Sequence, residues 1–182
     1  MIHSEVKINL GCGDKKLPGF INVDSRPDVN PDAICVLPTI STEFKEGYAD
    51  LIYASHVLEH FERNDVTVLL AECYKVLKPG GKLRLAVPDF DAVVDYYILT
   101  GNLAPLQTLL YGGHKYPEDY HFIAFSFRSL QKALKDAGFN IVERYDWKTT
   151  EHAYIDDYSQ AYLPHMEKIR GKLMSLNVEA TK

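Results

Sequence analysis

The stretch Ile8 to Lys15, INLGCGDK, ends an apolar run in a glycine turn, and a second apolar run, FINVD, closes on the carboxylate of Asp24 thirteen positions after Gly11. Bare backbone at Gly11 and Gly13 lets a ligand approach closely. A carboxylate at the end of the next strand accepts hydrogen bonds from both hydroxyls of a ribose. These residue types in this order point to a bound nucleoside or nucleotide. A tight turn after an edge strand would show the same glycine pair, so the weight falls on the rest of the chain.

Histidines supply the next candidates. HVLEH, His56 to His60, fits the pattern H-x-x-E-H, in which two histidines one helical turn apart bind zinc and a glutamate acts as base. That reading needs a third ligand from elsewhere. The alternative is that Glu59 and His60 cap the following helix and line a pocket. His114 and His121 lie in YGGHKYPEDYH, whose glycines and aromatics suit a loop folded over a pocket, or a surface loop with incidental histidines. His3, His152 and His165 fall near a terminus or in irregular stretches and are expected to be solvated. Cys12, Cys35 and Cys73 form no C-x-x-C pair and are odd in number, as free thiols in a reducing compartment would be. Each is expected to fill core space, with Cys12 touching a ligand through its backbone.

Positioning such groups requires a sheet. Val6–Leu10, Phe20–Val23, Ala33–Leu37, Leu51–Ala54 and Leu83–Val87 are short, mostly apolar and bounded by Gly, Pro, Asp or Ser, as strands of a buried parallel sheet are. Val66, Leu69, Leu70, Cys73 and Leu77 follow helical spacing, and that helix is expected to end at Lys78, before Pro79-Gly80-Gly81. Ser126 suits the N-cap of a second helix with Leu130, Ala133, Leu134 and Ala137 on its buried stripe and Gly138 as its stop. Strands are then expected at Asn140–Tyr145 and Ser175–Glu179. The alternation predicts an α/β sheet with helices on both faces. Residues 111–125 and 146–170, rich in Tyr, His and Asp, read as substrate-covering segments.

With 182 residues, a single domain over 1–182 is expected, so the site lies within one fold or at a dimer contact. The net charge of -5 argues against a nucleic-acid partner, since such binding rests on clustered Lys and Arg. No run of about 18 apolar residues offers a membrane span. The opening MIHSEVKINL lacks the pattern of a signal peptide, and a cytoplasmic protein is expected.

Taken in order, INLGCGD, NVD at Asn22 to Asp24, DLIYASHVLEHF at Asp50 to Phe61, VLKPGGKLRLAVPDF at Val76 to Phe90 and FRSLQKALKDAGF at Phe127 to Phe139 make the chain resemble the class I S-adenosylmethionine-dependent methyltransferases. Within them it is similar to the small type 11-like enzymes, which share a leucine-glutamate-histidine signature after the fourth strand. The resemblance covers roughly the first 145 residues. It implies a Rossmann-like, seven-stranded, mostly parallel sheet with the last strand antiparallel, and S-adenosyl-L-methionine as cofactor across the carboxyl edge of the first strands. Carried over by position, Gly11, Cys12 and Gly13 would lie along the methionine half and Asp24 would hold the ribose. Ser55 and His56 would line the region near the sulfonium.

Three departures stand out. The short path from Gly11 to Asp24 implies that the first helix is shortened or replaced by a loop. The acid that commonly ends the first strand is here Asn9, still able to hydrogen-bond. Ile34 to Leu37 are apolar apart from the Cys35 thiol, so adenine would be held by packing and backbone groups.

The reaction this implies is methyl transfer to a hydroxyl or amine of a small acceptor, a sugar or natural product being the leading class. His121 or His114 would act as general base. Asp89, straight after the fifth strand, would orient the base or the acceptor, its other reading being the cap of the next helix. Tyr116, Tyr120, Trp147, Tyr154, Asp156 and Asp157 suit stacking on a sugar or planar metabolite, and equally a homodimer contact. A non-catalytic module that keeps the cofactor pocket is the alternative from another class. No resident metal is expected on the methyltransferase reading.

Overall fold

A computed structural model describes residues 5–115, 118–165 and 167–182; His3 and Tyr116 lie outside them. One sheet contains β1 (Lys7–Leu10), β2 (Ile21–Asp24), β3 (Ala33–Ile34), β4 (Ala49–Ser55), β5 (Leu77–Pro88), β6 (Ile141–Arg144) and β9 (Ser175–Thr181), in the order β3-β2-β1-β4-β5-β9-β6. The pairs from β3 through β5 are parallel, and β9 runs antiparallel to both β5 and β6. A separate two-stranded ribbon joins β7 (Tyr162–Leu163) to β8 (Lys172–Leu173). The seven-stranded, mostly parallel architecture with its antiparallel last strand is therefore present. So is the missing first helix, for the chain passes from β1 to β2 as turns alone.

Period-two alternation sorts β4 between two layers. Ile52 and Ala54 join the main core with Ile8, Leu83 and Val178, while Leu51 and Tyr53 join Leu17 and Phe20 on the opposite face. Helix α1 (Arg63–Val76) covers the first face through Val66, Leu69, Leu70 and Cys73, the spacing read from the sequence. Burying each leucine contributes about 2 kcal/mol. Helix α4 (Phe127–Asp136) adds Leu130 and Leu134 to that layer. Its N-cap is Ser126, whose hydroxyl accepts from the Ser129 amide while Ser129 Oγ accepts from the Ser126 amide. Helices α2 (Phe90–Thr100) and α3 (Gln107–Tyr111) follow β5 at its carboxyl end.

Several assignments differ from expectation. Helix α1 stops at Val76, and Leu77 already begins β5, because its wholly buried side chain continues the sheet opposite Ala49. Pro79-Gly80-Gly81 is then an irregularity inside the strand. A Cβ on Gly81 would stand 2.9 Å from the Lys78 carbonyl oxygen. The third strand ends at Ile34 rather than Leu37. The chain leaves the sheet there, with the Cys35 amide still donating to the Asp24 carbonyl, and Val36 turns out to 72% exposure. His152, expected in solvent, is 3% exposed and packs on the rings of Tyr53 and Phe20 at 4.6 and 5.7 Å. Burial lowers its pKa, so it serves as a neutral aromatic. Irregular backbone covers this face of the sheet, and a buried imidazole fills the gap a helix would otherwise close.

An ion network fastens that irregular covering. Arg84 on β5 donates from Nε and Nη2 to Glu179 Oε2 on β9 at 3.0 and 2.9 Å, and from Nη1 to Glu151 Oε2 at 3.1 Å; Lys7 reaches Glu151 Oε1 at 3.1 Å. No helix among the described residues is long and apolar enough to cross a membrane.

The network makes stability fall with acid. Burial opposes ionisation of Glu151, yet its own amide, Lys7 and Arg84 bring its pKa down from 4.5 to about 2. A depressed folded-state pKa contributes stability that is complete above the unfolded value and is lost as pH drops through the folded one. Thermal melts followed by circular dichroism should show a Tm that declines between about pH 4.5 and 2. Glu151→Gln should lower Tm at neutral pH and flatten that decline; parallel curves for the two proteins would refute the assignment.

Candidate functional site

Strand order reverses at β1, whose neighbours β2 and β4 continue on opposite sides, and the crevice outside those carboxyl ends is where open α/β sheets take ligands. Gly11 leaves β1 with φ of 60°, a left-handed conformation, and a Cβ there would lie 2.6 Å from Val57 Cγ2. No side chain fits. The Gly13 amide donates to Asp24 Oδ2 at 2.8 Å, and Asp24 Oδ1 accepts from the Arg26 amide at 3.0 Å and from Arg26 Nε at 3.3 Å. Asp24 thus ties the turn after β1 to the turn after β2. A cavity of about 290 Å³ opens beside it, lined by Gly11, Asp24, Val36, Leu37, Val57 and Phe61. Its apolar walls are the Val36–Leu37 segment that left the sheet and the Val57–Phe61 turn facing it.

On the other side of Gly11, β4 ends at Ser55 and His56 follows it. The Ser55 hydroxyl is buried without a hydrogen-bond partner, on the wall of a second cavity of about 560 Å³. His56 has a φ of 53°, which a residue with a side chain adopts only where its surroundings impose it. Its amide still donates to the Ala86 carbonyl at 2.8 Å, and its Nδ1 stands 3.0 Å from Glu59 Oε1. A third cavity of about 400 Å³ runs between Pro105, Leu109, Tyr158, Tyr162, Leu163 and Met174. His56 lines all three cavities, so its ring marks their junction.

The remaining predicted residues divide. Gly11, Cys12, Gly13, Ser55 and His56 reach the second cavity, and Gly11, Asp24 and His56 the first. Burial first and Asp24 second push the Cys12 thiol up to about 11, so it stays protonated filler. Asn9 is buried behind the turn, donating to the Lys15 carbonyl and to Asn22 Oδ1, and lines none of these cavities. Asp89 is the N-cap of α2: Oδ1 accepts from the Asp91 amide and Oδ2 pairs with Arg144 Nη1 at 3.3 Å. It too lines none of the three, so the capping alternative describes it. His114 is exposed, stacked on Tyr120 at 4.1 Å with Nε2 on the Tyr111 carbonyl, while His121 is half-buried in the second cavity. Desolvation lowers the pKa of His121 against the opposing pull of Glu59, which favours a neutral ring.

The segments read as coverings contribute unevenly. Asp156 and Asp157 line the third cavity, where Asp157 is fixed by Tyr53 Oη and the Ser159 amide. Trp147 is buried and Tyr154 is exposed, neither on a cavity wall. Sequence reading missed Tyr158, 5.4 Å from the His56 ring, and Thr108; only the fold brings them in. The zinc-peptidase arrangement does not form, because His56 is left-handed and Leu58–His60 is a single 3-10 turn, so the two histidines do not share an α-helical face.

Residues 15–144 match a family described as methyltransferase domain. No curated protein matches the chain by sequence. Among solved structures, a methyltransferase from Methanosarcina mazei described as SAM-dependent is similar with a TM-score of 0.63 at 14% identity, covering 100% of this chain and 94% of its own. One from Archaeoglobus fulgidus gives 0.62 at 16%, covering 99% and 87%. Another from Mesorhizobium loti, described as S-adenosylmethionine dependent, gives 0.60 at 16%, covering 98% and 91%. At these identities the likeness establishes the fold.

The Gly11 geometry is directly testable. Gly11→Ala should cost about 1–3 kcal/mol from backbone strain alone, and more from the approach to Val57. Gly19, with φ of 80° and nothing within 4 Å of a built Cβ, isolates the strain. In urea denaturation Gly11→Ala should lose clearly more stability than Gly19→Ala; equal losses would show that the contact is absent.

Proposed function

The chain belongs to the methyltransferase domain family, and on that basis we propose that it transfers a methyl group from S-adenosylmethionine to an oxygen or nitrogen of a small acceptor held where the cavity between α3 and the 156–163 segment meets the one lined by His121. The observation that carries this is the convergence of three cavities on His56, with a nucleoside-sized groove on one side and a largely apolar chamber on the other. Its neighbours in fold, described as S-adenosylmethionine dependent, support the choice of cofactor.

The residues fit that cofactor. Asp24 at the end of β2 faces the groove with acceptor capacity left for ribose hydroxyls. Val36, Leu37 and Phe61 offer flat apolar walls to a purine. The unpartnered Ser55 hydroxyl and the Gly11–Gly13 turn would meet the polar amino-acid end. Bound there, S-adenosylmethionine supplies a methyl group already activated on sulfonium. The chain's task is then alignment, with reacting atoms about 3 to 3.5 Å apart.

Acceptor activation falls to His121. Its Nδ1 lies 3.0 Å from the Leu109 carbonyl, which can only accept, so the proton sits on Nδ1 and a neutral ring presents a bare Nε2. A hydroxyl acceptor loses its proton as its oxygen bonds to the methyl carbon and the sulfur–carbon bond breaks. His114, turned onto Tyr120, takes no part. A planar or sugar-like acceptor suits a chamber whose walls are largely apolar and whose lining includes Asp156, Asp157 and Gln160.

Calorimetry with S-adenosylmethionine should show binding that Asp24→Asn weakens by about 10- to 100-fold, the loss of charge-assisted hydrogen bonds to the ribose. With an acceptor found by screening, His121→Ala should lower kcat while leaving cofactor affinity intact, and His114→Ala should change neither. Absence of binding at millimolar cofactor would overturn the proposal. Tight binding with no acceptor methylated in a broad panel would favour the non-catalytic module.

A further inference from the structure

The Glu59 carboxylate is 0% exposed, and neither of its oxygens has a hydrogen-bond partner of good geometry; His56 Nδ1 stands 3.0 Å from Oε1 and forms an ion pair with it only when that ring is protonated. Desolvating an ionised carboxylate without donors costs several kcal/mol. Such a group needs a cation. Two further side chains face it: Glu59, His60 and His121 each place one metal-binding atom within 4.8 Å of the others.

The two imidazoles are prepared alike. His60 Nδ1 lies 3.1 Å from the Tyr120 carbonyl and His121 Nδ1 lies 3.0 Å from the Leu109 carbonyl. A carbonyl only accepts, so each ring carries its proton on Nδ1 and keeps a lone pair on Nε2. Metal-ligating histidines are oriented by this same outer hydrogen bond. The Phe122 amide donates to the Glu59 carbonyl at 2.8 Å, stitching the loop that bears His121 to the turn that bears Glu59 and His60. Both rings line the second cavity, with Ser55 and Gly112, while Glu59 lies behind them.

We infer that Glu59, His60 and His121 form a binding site for a divalent first-row transition ion of the zinc class, its remaining coordination position facing the cavity where an acceptor oxygen would reach it. Two imidazoles and a carboxylate suit such an ion better than magnesium or calcium, which favour all-oxygen sites. Three protein ligands with one open position is the composition of a reactive rather than a purely structural site. Tetrahedral ligands about 2.1 Å from zinc stand about 3.4 Å apart, so the three groups close on the ion by modest side-chain rotation. The role given to an acceptor oxygen rests on the methyl-transfer reading, in which His121 then acts through the ion it holds. The ion itself can be counted without cofactor or acceptor.

Protein stripped with a chelator and titrated with Zn²⁺ should take up about one equivalent per chain. X-ray absorption of the Zn²⁺ form should show two imidazoles and no sulfur, which separates this site from adventitious binding at Cys12. His60→Ala and His121→Ala should each weaken Zn²⁺ binding by at least about 100-fold, the upper end of what outer-shell partners alone cost. Circular dichroism and calorimetry with S-adenosylmethionine on the same samples show whether the fold and the cofactor groove persist. Failure of Zn²⁺ uptake by the parent protein, a sulfur-containing coordination shell, or unchanged affinity in both folded variants would each overturn the inference. Loss of cofactor binding with Zn²⁺ uptake intact would overturn the methyl-transfer reading and leave the metal site standing.

Discussion

The cleft exists because Gly11 carries no side chain. Strands β1 and β4 are neighbours in the sheet, and the segments that leave their ends would collide if both carried a Cβ; Val57 takes the space that a residue other than glycine would fill at position 11. With that contact made, the turn after β1 swings toward Asp24, and the turn after β4 swings toward the loop bearing His121. The first and second cavities therefore share one wall, which includes Gly11 and His56. The left-handed backbone of His56 follows from the same constraint, since the chain must keep its amide on the Ala86 carbonyl while turning sharply out of the sheet.

Polar burial is concentrated where irregular backbone replaces helices. Arg84, Glu179, Glu151 and Lys7 hold the 146–161 segment on the sheet, and Asp157 ties it to Tyr53 beneath the cavities. Such a covering costs desolvation that a leucine-faced helix would avoid. In return it brings carboxylates and hydroxyls to the edge of a chamber whose body is apolar. The side with α1 and α4 needs nothing of the kind, and its core is apolar, built of aliphatic side chains with Phe44, Phe125 and Phe139 among them. One face is thus specialised for stability and the carboxyl edge for chemistry.

Much of this was legible in local signals. The Gly-x-Gly turn and the short path to Asp24 each foretold a feature that the structure contains, because each depends on backbone freedom or hydrophobic pattern within a few residues. Boundaries failed where a tertiary contact overrode a local breaker: Pro79-Gly80-Gly81 stays inside β5 because buried Leu77 pairs with Ala49. His152 failed for a related reason, since neither its type nor its neighbours reveal that Phe20 and Tyr53 leave a ring-sized space. Asp89 is a case of two roles with one sequence context, decided by the positions of α2 and Arg144.

Patterning and glycine placement were enough to indicate the family, the sheet and the carboxylate at the end of β2 that lines the first cavity, since each is written within a few neighbouring residues. Which histidine turns inward and which outward was left to the packed fold. His114 and His121 sit in one loop of similar residues, and their separation comes from carbonyls at Tyr111 and Leu109 that lie in α3. The convergence of His121 with Glu59 and His60 is likewise a matter of a loop closing across the chain, because a span of about sixty residues has no local period to reveal it.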